Sequence, residues 1–353
     1  MRRITSFVML MSLMLLGQSC ARIISSESTR LNGFPEMEVK ETLQAADSSQ
    51  LQRVAANRTT GKSNLKQFVL PAGMSYSTAG DVYISDNNGQ TIHRWAAAQD
   101  RTNVFLAKNA VGKLEFPNAI KWTDSRIFVA DNDGIKVFSA DGQLERLIRT
   151  YFTIFSFVLT PRSTILINAI IRKTDAEDPL IIELDSNGKR LRGFGLRHND
   201  AGKNGLEDRA FLAVDNGLLF AAFKYRQSVE VYDIDSGRLV RTINIKHAVL
   251  NQLPDLLLKR SSATDPSKTS NPRYIAGVQA VGDRVFVCLH LPQPEILVFD
   301  REGQPLSDFR VSTESPAIDI FGFDARAIGP NIKLAVGVLD PEWRSTVYEV
   351  NTN

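Results

Sequence analysis

From about residue 65 the chain consists of short apolar runs separated by polar turns, the pattern of strands rather than of helices. The stretch 127–148 is the clearest example. Two apolar runs, Ile127-Phe128-Val129-Ala130 and Ile135-Lys136-Val137-Phe138, flank Asp131-Asn132-Asp133-Gly134; Asp141-Gly142 then leads into the alternating Leu144-Glu145-Arg146-Leu147. The pattern predicts three strands of one antiparallel meander, and versions of it recur about every 45 residues. Units are expected at 74–106, 116–148, 153–194, 210–245, 275–311 and 318–350, preceded by a lone strand at 65–70.

Turn chemistry checks the repeat. Phe138, Leu184, Tyr232 and Phe299 are followed within a few residues by Asp141-Gly142, Asn187-Gly188, Ser236-Gly237 and Glu302-Gly303. Such dipeptides supply the positive φ angles of tight hairpins. Second strands such as Leu218-Leu219-Phe220-Ala221 are continuously apolar, whereas the outermost strands alternate, so each unit is expected to be covered on its inner side and wet at its rim. The predicted fold class is all-β, a six-bladed β-propeller closed by an N-terminal strand, residues 65–70, in the last blade. The spacing between the fourth and fifth units is longer than its neighbours, which places an insertion at about 247–273.

The N-terminus follows different rules. Arg2 and Arg3 precede an apolar run from Phe7 to Leu16, too short for a permanent membrane span and suited to an export signal. Residues 1–20 are therefore expected to be a signal peptide, 21–63 a flexible tether and 64–353 the propeller. Leu16-Gly17-Gln18-Ser19-Cys20 is similar to the lipobox of bacterial lipoproteins, which implies lipidation at Cys20; ordinary cleavage after Ala21 is the alternative. Either exit implies the cell envelope, periplasmic or anchored to the outer membrane, with membrane contact only through the lipid.

Composition narrows the classes further. Hydrophobic residues at 43% and charged residues at 23% describe a folded globular chain. A net charge of +3 without a basic cluster in the body gives no nucleic-acid footprint. The two cysteines, Cys20 and Cys288, make no disulfide framework, and Cys288 in Val285-Phe286-Val287-Cys288-Leu289 is expected to be a buried apolar residue.

Val82-Tyr83-Ile84-Ser85-Asp86-Asn87 and Ile127-Phe128-Val129-Ala130-Asp131-Asn132 resemble the strand and turn of NHL-type repeats, and the chain as a whole resembles the bacterial six-bladed propeller lipoproteins related to them. The resemblance implies that loops between second and third strands, and those between blades, share one face around a central channel. Residues expected there as ligand-binding candidates are Asp86, Asp131, Asp133, Lys224, Tyr225, Arg226, His290, Trp343 and Arg344. No catalytic residue and no metal ligand is assigned from the motifs. The scattered histidines make no zinc pattern, and Asp131-Asn132-Asp133-Gly134 lacks the twelve-residue calcium-loop pattern.

Two functions stand at this point. One is a non-enzymatic binding or scaffold protein with a protein, peptide or glycan partner. The other, implied by similarity of architecture to six-bladed lactonases, esterases and lyases, is an enzyme with a divalent cation in the channel, for which Asn118, Asn168, Asp208 and Asp319 are the candidates.

Overall fold

The computed structural model describes residues 51–52 and the stretch from 68 to 351, apart from 97–100, 109–111, 124, 171–177, 198–204, 248–249, 252–271, 292, 312–318, 329–330 and 341. The expected signal peptide with Cys20, most of the tether and most of the 247–273 insertion lie outside the described residues. Of the insertion, Leu250 and Asn251 are helical, and Leu250 is fully buried.

The fold is an all-β propeller. Five blades are continuous meanders of four antiparallel strands. The first is β2–β5 (Pro71–Tyr76, Val82–Asp86, Thr91–Ala96, Arg101–Leu106) and the second β6–β9 (Ala119–Thr123, Arg126–Asp131, Gly134–Ser139, Leu144–Arg149). The third is β10–β13 (Thr153–Leu159, Ile165–Ile170, Ile181–Leu184, Arg190–Phe194) and the fourth β14–β17 (Ala210–Asp215, Leu218–Phe223, Ser228–Asp233, Leu239–Asn244). The fifth is β18–β21 (Ile275–Val281, Arg284–Leu289, Glu295–Asp300, Pro305–Arg310). A further sheet combines β22–β24 (Asp319–Ile328, Asn331–Asp340, Glu342–Asn351) with the two-residue β1 (Leu51–Gln52), which pairs Leu51 with Val350 and Gln52 with Glu349.

The origin of β1 corrects one expectation. Phe68, Val69 and Leu70 belong to no strand, and the residues that join β24 come from within the expected tether. The physical reason is local: the Asp86 carboxylate accepts the Val69 and Leu70 N–H groups at 2.7 and 2.8 Å, and the Leu70 carbonyl accepts the Asn87 N–H at 2.9 Å. Val69 and Leu70, their amides captured by their own blade, are not free to pair with another sheet.

The turn signals act as the repeat required. Gly142, Gly188, Gly237 and Gly303 have φ of 87, 89, 70 and 84°. Each follows a one-residue register shift between third and fourth strands, at Val137/Phe138, Glu183/Leu184, Val231/Tyr232 and Val298/Phe299. Each tip also rests on the outermost strand of the preceding blade. A Cβ built on these glycines would stand 3.1 Å from Leu106, 2.7 Å from the Arg149 carbonyl, 3.0 Å from Phe194 and 2.7 Å from Ile243. The glycine therefore serves the turn and the contact between blades together.

Inner strands pose a second problem, because their channel-side N–H groups have no second neighbouring strand to pair with. Neighbouring blades supply acceptors from side chains. Trp122 N–H donates to Ser75 Oγ at 3.0 Å, Leu212 N–H to Ser156 Oγ at 3.1 Å, and Tyr76 N–H to Asp324 Oδ2 at 2.7 Å. The last of these links β2 to β22 across 248 residues of sequence, and Arg326 adds a bond to the Tyr76 carbonyl at 2.9 Å. Between blades lie apolar seams. One of them buries Met74, Tyr76 and Trp95 of the first blade against Ala335 of β23.

Candidate functional site

The loop face is built by side chains that end second strands. Asp131, at the end of β7, receives N–H bonds from Glu115 and Phe116 and an ion pair of 2.6 Å from Lys136, whose ammonium also bonds the Lys113 carbonyl. Both partners are buried. Burial would push the Asp131 carboxyl up, but the Lys136 bond and the backbone donors hold it below the usual carboxylate range. Asp86 does the same work at the end of β3, also accepting Gly89 N–H at 3.0 Å. In the third blade Asn168 takes this place: its amide donates to the Leu180 and Asp208 carbonyls and its Oδ1 accepts the Ala210 N–H at 3.0 Å. Three side chains at or near the ends of second strands thus clasp neighbouring backbone, and Asp86 and Asp131 spend their oxygens inside the protein.

The other candidates are placed as follows. Asp133 is partly exposed and lies 3.2 Å from Lys136 Nζ. Arg226 covers the Phe223 ring with its guanidinium 4.5 Å from the centroid. Trp343 and Arg344 are strand residues of β24, in register with Leu339 and Val338, rather than loop residues. The hairpin is tight enough that the strands run to Asp340 and Glu342, which takes the expected loop into the ladder.

Lys224, Tyr225 and His290 meet residues that sequence reading did not group with them. Lys224 follows β15, and its backbone ties two blades together: its N–H donates to the Arg209 carbonyl and its carbonyl accepts the Tyr274 N–H, both at 2.8 Å. This fixes the root of the side chain. Its ammonium sits 5.7 Å from the Phe155 ring centroid and 5.9 Å from that of Tyr225. Phe155 is the extra residue of a bulge between Ile154 and Ser156, a device that re-aims a side chain. It packs on Phe211 at 5.0 Å and carries the Arg209 guanidinium at 5.9 Å. The Arg209 Nε is buried and has no hydrogen-bond partner.

One carboxylate faces this group. Asp319 opens β22, receives both oxygens' bonds from Arg273 at 2.9 Å and lies 2.8 Å from His290 Nε2. Burial would raise its carboxyl, yet the His290 bond and the Arg273 charge keep it far below the ordinary range. Lys224 shows the opposite balance. Burial, with Arg273 and Arg209 nearby, outweighs Asp319 and brings its ammonium down to about 8. Three cations thus surround aromatic rings, while the carboxylate among them is already shared by a guanidinium and an imidazole. Such a site attracts an anion and can stack an apolar or ring portion of the same ligand.

The donors named for a divalent cation do not fit one. Asn118 donates its amide to the Ile154 carbonyl at 3.0 Å, Asn168 is spent on backbone, Asp208 is buried 3.4 Å from Arg197, and Asp319 is shared as above. No cluster of three or more His, Cys, Asp or Glu side chains suited to a metal occurs among the described residues. Cys288 is fully buried, and burial pushes its thiol up to about 12, so it is inert as a nucleophile.

No family model matches the chain, and no curated protein matches it. Solved structures do. A luciferin-regenerating enzyme is 12% identical, with 85% of this chain and 94% of that chain covered at a TM-score of 0.53. Regucalcin from Agrobacterium tumefaciens, a calcium-binding protein, is 12% identical over 82% and 93% of the two chains at a TM-score of 0.53. A gluconolactonase from Xanthomonas campestris is 14% identical over 80% and 87% at a TM-score of 0.52. At these identities the likeness defines the fold, and the class of the protein is that of the β-propellers.

Proposed function

We propose that the chain is an exported β-propeller binding protein that holds an anionic group of a protein, peptide or glycan partner on its loop face. The observation carrying this reading is the convergence of Arg209, Lys224 and Arg273 around Phe155 and Tyr225, with Asp319 already neutralised. Phe155 on β10 and residues rooted beside strands of the fourth and fifth blades present the group, so little ordering is left to be done on binding. We read the six sheets as six blades of an NHL-like ring in which β1 closes the last. The aspartate clasps at Asp86 and Asp131 support that kinship, because they sit where the repeat's strand meets its turn.

Screening the purified full chain against arrays of acidic peptides and uronate-containing glycans tests the reading. Retention of acidic over neutral ligands, lost in Arg273→Ala, is expected; equal retention of neutral ligands would sink it. Export and anchoring rest on Arg2, Arg3, the 7–16 apolar run and Cys20. Radioactive palmitate should label the wild type and not Cys20→Ala, and label that survives in the variant would remove the lipoprotein reading.

The runner-up is a metal-dependent hydrolase or lyase, supported by the fold shared with the gluconolactonase. Against it stand the positive charge gathered around Asp319, which repels a divalent cation there, and the engagement of Asn118, Asn168 and Asp208 with other partners. Stoichiometric calcium or zinc retained through dialysis would favour the enzyme.

A further inference from the structure

On the face opposite the Lys224 site, a cavity of about 430 Å³ opens between the second, third and fourth blades. Its floor is apolar: Phe128 and Ile165 belong to the seam between the second and third blades, and Leu159 and Val214 border them. Arg126 and Arg146 line its rim. Phe128 and Arg146 both stand opposite Val137 in the ladder, so ring and guanidinium lie on the same sheet face. Glu145 balances one of the two charges through a 2.6 Å bond from Arg126 Nε, which leaves the rim net positive.

The far wall is fixed by hydrogen bonds. Thr160 Oγ1 lies 2.8 Å from Thr164 Oγ1, which donates to Glu183 Oε1 at 2.7 Å. Thr160 Oγ1 also accepts the Arg162 N–H at 3.2 Å, and Arg162 pairs with Asp235 of the next blade. A cavity of this volume is within the range of small-ligand sites, and these bonds give it walls before any ligand arrives.

We infer that this cavity is a second ligand site, taking a small amphipathic carboxylate whose chain or ring lies on Phe128, Leu159 and Val214 and whose carboxylate meets Arg126 and Arg146. It is independent of the loop-face site in both residues and position.

Calorimetric titration of the full chain with sodium octanoate, and with 1-octanol as the neutral counterpart, tests the site. Wild type should bind octanoate more tightly than octanol. Arg146→Glu should weaken octanoate by about tenfold or more, the loss of one charge-assisted bond, and leave octanol nearly as it was. Ser186→Trp, which fills the cavity from its rim, should abolish both; a thermal melt like that of the wild type shows that the variant folds. Equal affinity for octanoate and octanol, or octanoate binding untouched by Arg146→Glu, overturns the inference. Octanoate binding lost in Lys224→Ala but kept in Arg146→Glu also overturns it, while supporting the loop-face reading.

Discussion

Replacing Asp131 by alanine is expected to destabilise the protein by about 3–5 kcal/mol, the usual cost of removing one partner from a buried pair. The change orphans the Glu115 and Phe116 N–H groups and leaves the Lys136 ammonium buried with only Asp133 and the Lys113 carbonyl beside it. Urea unfolding followed by circular dichroism measures the loss. The double variant Asp131→Ala, Lys136→Met should recover a large part, because the stranded charge goes with its partner. If the single variant unfolds at the wild-type urea concentration, the clasp is not a stabilising feature.

Acid should act on the same bonds. The folded Asp131 and Asp319 carboxyls lie below their unfolded values, so their contribution is complete above about pH 4. It is lost as pH falls through the depressed folded values.

Lys224→Met is expected to move binding and stability in opposite directions. The ammonium supplies charge for an anionic ligand, so affinity for acidic ligands should fall by about tenfold or more in the variant, a charge-assisted bond's worth. In the wild type it should weaken as pH rises through about 8, where Lys224 loses its proton in the field of Arg209, Arg273, Asp319 and Tyr225. Its folded value lies below the unfolded one, so between about 8 and 10.4 the unfolded state holds more protons and stability rises with pH. Below about 8 the full penalty is present. Removing the charge should therefore stabilise the protein near neutral pH by about 1–2 kcal/mol after allowance for solvent screening. Unfolding curves at pH 7 and pH 9.5 check this. A variant less stable than wild type at pH 7 would show that Lys224 is a structural tie rather than a binding group.

The sequence made the blades legible because local rules govern them. The glycine-bearing tips at the third hairpins of the second to fifth blades, and the apolar second strands, need no knowledge of distant residues. The strand that pairs with β24 was not legible, since residues 65–70 have a strand's composition and it is the Asp86 carboxylate, 16 residues from Leu70, that takes the Val69 and Leu70 amides. The loop face was legible in part. Lys224, Tyr225 and His290 stood out as polar residues after apolar strands, but Arg209, Phe155 and Arg273 join them through a bulge and through contacts between blades. Nothing in the spacing signals such contacts. Asp86 and Asp131 looked like ligand groups because an exposed acidic turn and a buried clasp have the same letters.

The glycine tips that rest on the preceding blade's outer strand have an evolutionary consequence. Each of the second to fifth blades carries its own fastener to the one before it, so the information for joining two units travels within a single unit. Duplication of a whole repeat would copy the joint along with the strands. Propellers of this kind can therefore grow or shrink by entire blades without a new interface having to be invented, whereas a duplication that begins within a third hairpin would separate tip from seat.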